Sequence, residues 1–167
     1  AQIVRDAREH GVEVRPADVN YSYWDCTLEP GGAPSGPGGG YALRLGLRQI
    51  KGVGQEDAEW LVAARGNGYR DPISIWRRAS VPAPALEKLA QADAFSSMGL
   101  SRRDALWAIK PLRRTMLPLP LFAAAGAAEL GEESDVLLPR MSVGEEVVED
   151  YASLRMTLRA HPLRLVR

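Results

Sequence analysis

Two glycines around one aliphatic residue, set between apolar positions at helical spacing, offer backbone N–H groups for binding rather than side chains for catalysis. Residues Leu47 to Leu61 read Leu-Arg-Gln-Ile-Lys-Gly-Val-Gly-Gln-Glu-Asp-Ala-Glu-Trp-Leu. Gly52 and Gly54 permit a very tight turn and leave no side chain between the backbone and a ligand. Val53 can plug the contact between the flanking segments, with Ile50, Ala58 and Leu61 in register around it. The helix expected to start at residues 53–55 presents unpaired N–H groups and the positive end of its dipole, which suits a phosphate oxygen. Lys51 and Arg48 add charge, whereas Glu56 and Asp57 in the first turn compete for the same dipole. The chemistry implied is a grip on a nucleic-acid backbone without sequence preference, with affinity that falls steeply with salt. An ordinary helix pair turned by glycines is the alternative.

A second set of groups lies at Ser101-Arg102-Arg103-Asp104. Ser101 and Asp104 have capping-box spacing at a helix start. Cations are disfavoured there by the dipole, so Arg102 and Arg103 are expected either to meet a phosphate or to stand exposed. The turn before them, Ala92-Asp93-Ala94-Phe95, lacks paired glycines, so its hold on phosphate should be weaker and a structural role is equally open.

Other residue types offer less. Nucleotidyl transfer needs clustered carboxylates that hold two metal ions, and no Asp-x-Asp pair ends a buried strand here. Glu129, Glu132, Glu133 and Asp135 sit among loop formers. Glu145, Glu146, Glu149 and Asp150 recur at i, i+4 spacing on an expected helix. Both groups read as solvated faces, so no metal site and no catalytic residue is assigned. His10 and His161 lack partners at ligand spacing. Cys26 reads as a packed thiol, and one cysteine excludes an internal disulfide, as in a cytoplasmic protein. Trp24, Trp60, Trp76 and Trp107 could stack on bases, although packing suits the three in helices better.

The elements that must position these groups follow from punctuation and charge. Residues 44–114 carry 13 Lys/Arg against 7 Asp/Glu, while 1–43 carry 3 against 6 and 115–167 carry 5 against 8. The positive centre coincides with the glycine turn and points to an anionic partner. No apolar run is long enough to cross a membrane. Helices are expected over Gln2–His10, Gln55–Arg65, Ile73–Ala79 after Pro72, Pro82–Ala92 (with Leu86, Leu89 and Ala90 inward) and from Ser101 (with Ala105, Leu106 and Ile109 inward). Val12 to Val19 suggests a short extended segment interrupted by Pro16. Tyr21–Leu28 and Tyr41–Leu47 alternate like paired strands, joined by Pro30–Gly40, whose six glycines and three prolines read as a flexible loop. The fold class expected is α+β, mainly α: two successive helix-hairpin-helix units, a small β-hairpin, and an extended, partly helical tail. The divisions expected are 1–40, 41–114 and 115–167, in a piece of a longer chain.

The order of motifs resembles the end of the fingers and the tandem helix-hairpin-helix segment of bacterial C-family DNA polymerases. The resemblance rests on Ala1 to Val14 with Pro16 and Asp18-Val19-Asn20, and on Leu45-Gly46-Leu47 before Ile50-Lys51-Gly52-Val53-Gly54. Leu89 to Phe95 with Gly99-Leu100-Ser101-Arg102-Arg103, and the tail His161-Pro162, complete it. Asp93 stands where the replicative branch usually has glycine. The stretches Leu119 to Ala125 and Glu149 to Pro162 are similar to the error-prone paralogue. The resemblance implies a parent enzyme that performs template-dependent nucleotide addition in mutagenic lesion bypass, with Mg2+ held by carboxylates outside this chain. For this segment it implies contact with duplex DNA through Arg48, Lys51, Gly52, Val53, Gly54, Arg102 and Arg103, with no cofactor of its own. The alternative role is docking on partners. Pro118-Leu119-Pro120-Leu121-Phe122 occupies the place of a sliding-clamp peptide, where Leu119, Leu121 and Phe122 match the pattern and Pro118 replaces a glutamine. Accessory mutagenesis proteins are the other candidate partners.

Overall fold

The computed structural model describes residues 2–32, 39–113 and 138–165. Helix α1, Gln2–Glu9, ends at Gly11, whose φ of 82° closes the helix. The chain then enters a three-stranded sheet of order β1-β3-β2, formed by β1 (Val14–Arg15), β2 (Thr27–Pro30) and β3 (Tyr41–Arg44). Strand β3 pairs antiparallel with β2, placing Leu28 opposite Leu43, and parallel with β1, placing Val14 opposite Leu43. The expected hairpin therefore forms, but its first strand begins at Thr27 rather than Tyr21. Residues 21–26 bend instead, and Cys26 is exposed there, contrary to the packed thiol expected.

Four helices follow where proline, serine and glycine place them: α2 (Gln55–Ala63), α3 (Pro72–Ala79), α4 (Ala83–Gln91) and α5 (Arg102–Ile109). Asp71 caps α3 with Ser74 in a capping box, Pro72 opening the helix, and Ser101 caps α5 with Asp104. The segment before the glycine turn is a single 3-10 turn, Leu47–Gln49, rather than a full helix. A sixth helix, α6 (Val143–Leu154), is capped by Ser142 and Glu145, and lies against α4.

One core joins these elements. Val19, Leu47, Ile50, Ala58, Leu61, Ile75, Leu86, Leu89, Phe95 and Ile109 are buried together, with Met156 from beyond α6 in the same cluster. Each large aliphatic side chain so buried contributes roughly 1.5–3 kcal/mol. The sheet links residues on both sides of position 40, and Met156 reaches the helical core, so the three expected divisions share one interior. Asp18 ties the first part to the rest. Its carboxylate accepts from the Ser97 N–H and hydroxyl, at 3.0 and 2.7 Å, and from the Asn20 N–H at 2.8 Å. Asn20 in turn exchanges bonds with the Tyr69 backbone at 2.7 and 3.0 Å. The Pro16-to-Asn20 run thereby anchors the bend at 21–26 on the helical domain.

Candidate nucleic-acid interface

The first turn is built as its residue types require. Gly52 has a φ of 86°, a left-handed conformation that a β-branched residue adopts only under strain. Gly54 is the N-cap of α2 and supplies no side-chain cap. Among the described residues, the N–H groups of Gly52, Gly54, Gln55, Glu56 and Asp57 meet no acceptor, while the Val53 N–H reaches only Ile50 O at 3.4 Å. Val53 itself is half-buried against the core, which holds the turn in place. The result is a row of donors at the positive end of a nine-residue helix.

Cations stand beside these donors. Lys51 is exposed, and its N–H is held by Ser153 O at 2.9 Å, so the end of α6 braces the turn. Arg48 is exposed and paired with Asp25 at 2.5 Å. A residue the sequence reading missed is Lys88. Its aliphatic stem lies over Gly52, 3.5 Å from where a β-carbon would stand, and its ammonium reaches Gln91 Oε1 at 3.2 Å. No local pattern singles out Lys88, because α4 brings it to the turn from far along the chain. Glu56 and Asp57 flank the same donors. Burial, followed by the neighbouring Glu56 charge, pushes the Asp57 carboxyl above its usual range.

The second turn is built differently. Asp93 takes the left-handed position with a φ of 59°, a conformation that aspartate tolerates. Its carboxylate is occupied by Arg159 at 2.5 Å. Burial raises its pKa against the pull of Arg102 and Arg159.

Arg102 corrects the expectation of a phosphate contact at this helix start. Its side chain is only 2% exposed. One guanidinium nitrogen donates to Asp150 at 2.6 Å and the other to Glu146 O at 3.1 Å. Glu146 Oε2 lies 3.0 Å from both Arg102 and Arg159, but off the line of a good hydrogen bond, and Arg102 Nε makes none. A buried guanidinium needs a fixed counter-charge, and α6 supplies it. The Glu146 and Asp150 side chains, read from sequence as part of a solvated face, are therefore largely buried, at 14% and 7% exposure. Arg103, partly exposed, donates to Pro139 O at 2.8 Å and pairs with Glu145 at 3.2 Å.

Among the described residues no group of three or more His, Cys, Asp or Glu side chains could hold a metal ion. His10 bonds back to Asp6 O at 2.8 Å, and His161 caps a short 3-10 turn over Pro162–Arg164. Trp76 is buried, whereas Trp60 and Trp107 are exposed, Trp107 beneath the Lys110 ammonium. Leu119, Leu121 and Phe122 lie outside the described residues, as do Glu129, Glu132, Glu133 and Asp135. No helix among the described residues is long and apolar enough to cross a membrane.

Comparison with known proteins agrees with this geometry. The helix-hairpin-helix motif family matches residues 11–105. Over its whole length the chain is 57% identical to an error-prone DNA polymerase of Ruegeria pomeroyi and 52% identical to error-prone DNA polymerase 2 of Rhizobium meliloti. It is also 52% identical to error-prone DNA polymerase 1 of Agrobacterium fabrum. The chain spans only 15–16% of the length of these relatives, so it is similar to one segment of each.

Proposed function

This chain belongs to the helix-hairpin-helix family, and on that premise we propose that it is the part of an error-prone DNA polymerase that grips the backbone of duplex DNA. The observation that carries the reading is the uncapped start of α2 behind Gly52, with its row of free N–H donors and with Lys51 and Lys88 beside it. A phosphate oxygen accepts from such donors whatever the base sequence, which is what a polymerase needs of a product duplex that moves through it. Arg48 adds positive potential at the edge, moderated by Asp25. Arg103 contributes little, because Glu145 and Pro139 hold it, and Arg102 serves the fold.

Nucleotide addition belongs to the rest of such a polymerase. No three carboxylates among the described residues are grouped as a metal site, and we infer that Mg2+ and the reacting phosphates would be held elsewhere in the parent enzyme. Error-prone DNA synthesis is the setting we infer from the names of the relatives. Docking on a sliding clamp or on accessory mutagenesis proteins gains no support from the described residues. Titration of the purified chain against a duplex at two salt concentrations tests the reading. Binding should be independent of base sequence, and the logarithm of affinity should fall linearly with the logarithm of salt. Absence of duplex binding at low salt would overturn it.

A further inference from the structure

Half of the described arginines stand against a carboxylate, as Arg44 does with Glu29 at 2.8 Å and Arg102 with Asp150 at 2.6 Å. Arg65, Arg70 and Arg78 do not, and all three line one groove of about 850 Å³ whose wall contains no Asp or Glu. The groove lies beyond the C-terminal end of α2, between the 65–70 loop and the bend at Asn20–Tyr21. Arg65 donates to the Val19 and Ser22 carbonyls, and Arg78 to those of Gly68, Ala64 and Arg65. Carbonyls satisfy the donors but leave the net charge. The carboxylate that acts on Arg65 is Asp18, which is already engaged by Ser96, Ser97 and Asn20. Burial accordingly pushes the Arg65 pKa down, the mark of a half-buried cation short of an anion.

Two exposed tyrosines adjoin these cations. Tyr21 is 55% exposed and lines the groove, and Tyr23, 54% exposed, lies with its ring 5.5 Å from the Arg65 guanidinium. The Gly66 and Asn67 N–H groups at the rim meet no acceptor among the described residues. Helix capping accounts for Arg78, and the Arg44 and Arg65 guanidinium groups lie over the Tyr21 and Tyr23 rings at 5.2 and 5.5 Å, but among the described residues nothing partners exposed Arg70 and no acid lines the wall.

We propose that this groove binds a single strand of nucleic acid, with Arg65, Arg70 and Arg78 facing its phosphates and Tyr21 and Tyr23 stacking on its bases. Positive grooves flanked by aromatic rings hold single strands in this way. A duplex keeps its bases stacked inside and has no use for the two rings. The site lies at the opposite end of α2 from the glycine turn, about 14 Å away for nine residues at 1.5 Å each. The exposed acids Glu56 and Glu59 on α2 lie between the two. It is therefore independent of the duplex grip.

Fluorescence anisotropy of the whole chain with labelled oligo(dT), with an abasic strand of equal length and with a hairpin duplex tests the proposal. Arg65 and Arg78 support the backbone, so the informative variants are Arg70→Glu, its milder form Arg70→Gln, and Tyr21→Ala, each checked by its unfolding midpoint. Oligo(dT) affinity should fall about tenfold with Arg70→Glu, less with Arg70→Gln, and about fivefold with Tyr21→Ala, at unchanged duplex affinity. The abasic strand should bind more weakly than oligo(dT). The proposal is overturned if the native chain fails to bind oligo(dT), if these variants leave that binding intact, or if strand and duplex weaken equally. Failure of the duplex reading shows separately, as loss of duplex binding by the native chain.

Discussion

The two hairpins of this molecule share an architecture and differ in what fills their turns. In the first, glycine takes the left-handed position and the donors of the next helix face outward with Lys51 and Lys88 beside them. In the second, aspartate takes that position, and α6 lays Glu146 and Asp150 over the arginine at the start of the next helix. Carboxylates of the chain itself stand where a phosphate would have to approach. One copy of the motif is thus open for binding, and the other has become a socket for a helix. The lesson is that a helix start lacking a side-chain cap is a site only while no part of the same chain reaches it.

The largest effect should come from the socket. Arg102→Met removes the buried cation of the cluster and leaves Glu146 and Asp150 with only the half-exposed Arg159, which should cost about 3 kcal/mol in denaturant unfolding. Duplex affinity of the folded fraction should stay the same. A loss of affinity without a loss of stability would erase the distinction between the hairpins.

A smaller effect on stability but a larger one on binding is expected at Gly52. Gly52→Val forces a β-branched residue into a positive-φ position, at about 1–3 kcal/mol of strain, and crowds Lys88. Duplex affinity should fall for all sequences alike, as electrophoretic mobility shifts would show, with the fold retained by circular dichroism. Unchanged binding would contradict a grip at this turn.

The smallest effect distinguishes the hairpins by pH. Asp57 lies in the first turn of α2 with its pKa raised by burial, so it protonates earlier than an ordinary aspartate on acidification. The charged form repels phosphate and the neutral form does not. Duplex binding should therefore tighten as pH falls toward the raised value, beyond any change in an Asp57→Asn variant. That variant should bind a few-fold more tightly at neutral pH. An identical pH profile for both proteins would show that no phosphate approaches this helix start.

Much of this frame could be read from local signals. Pro72, the serine cap at Ser101 and the glycines at 66 and 68 punctuate the helices, and the Gly-Val-Gly run marks the turn. What escaped reading was non-local. Carboxylates at i, i+4 spacing look the same whether they face water or an arginine 44 to 48 residues away, so neither the burial of Arg102 nor the role of α6 shows in the pattern. Lys88 reaches Gly52 through the packing of α4, and the parallel pairing of the two-residue β1 with β3 leaves no alternation to detect. The strand expected from Tyr21 became a bend because Asp18, Asn20 and Ser22 bond to distant backbone and side chains.

The most direct test of the contrast between the hairpins is the salt dependence of duplex affinity for Lys51→Ala beside Arg103→Ala. If the first hairpin holds the phosphate, Lys51→Ala should weaken binding uniformly across sequences and reduce the salt slope by about 1, whereas Arg103→Ala should leave the slope unchanged. A slope that drops for Arg103→Ala and stays constant for Lys51→Ala would contradict the account.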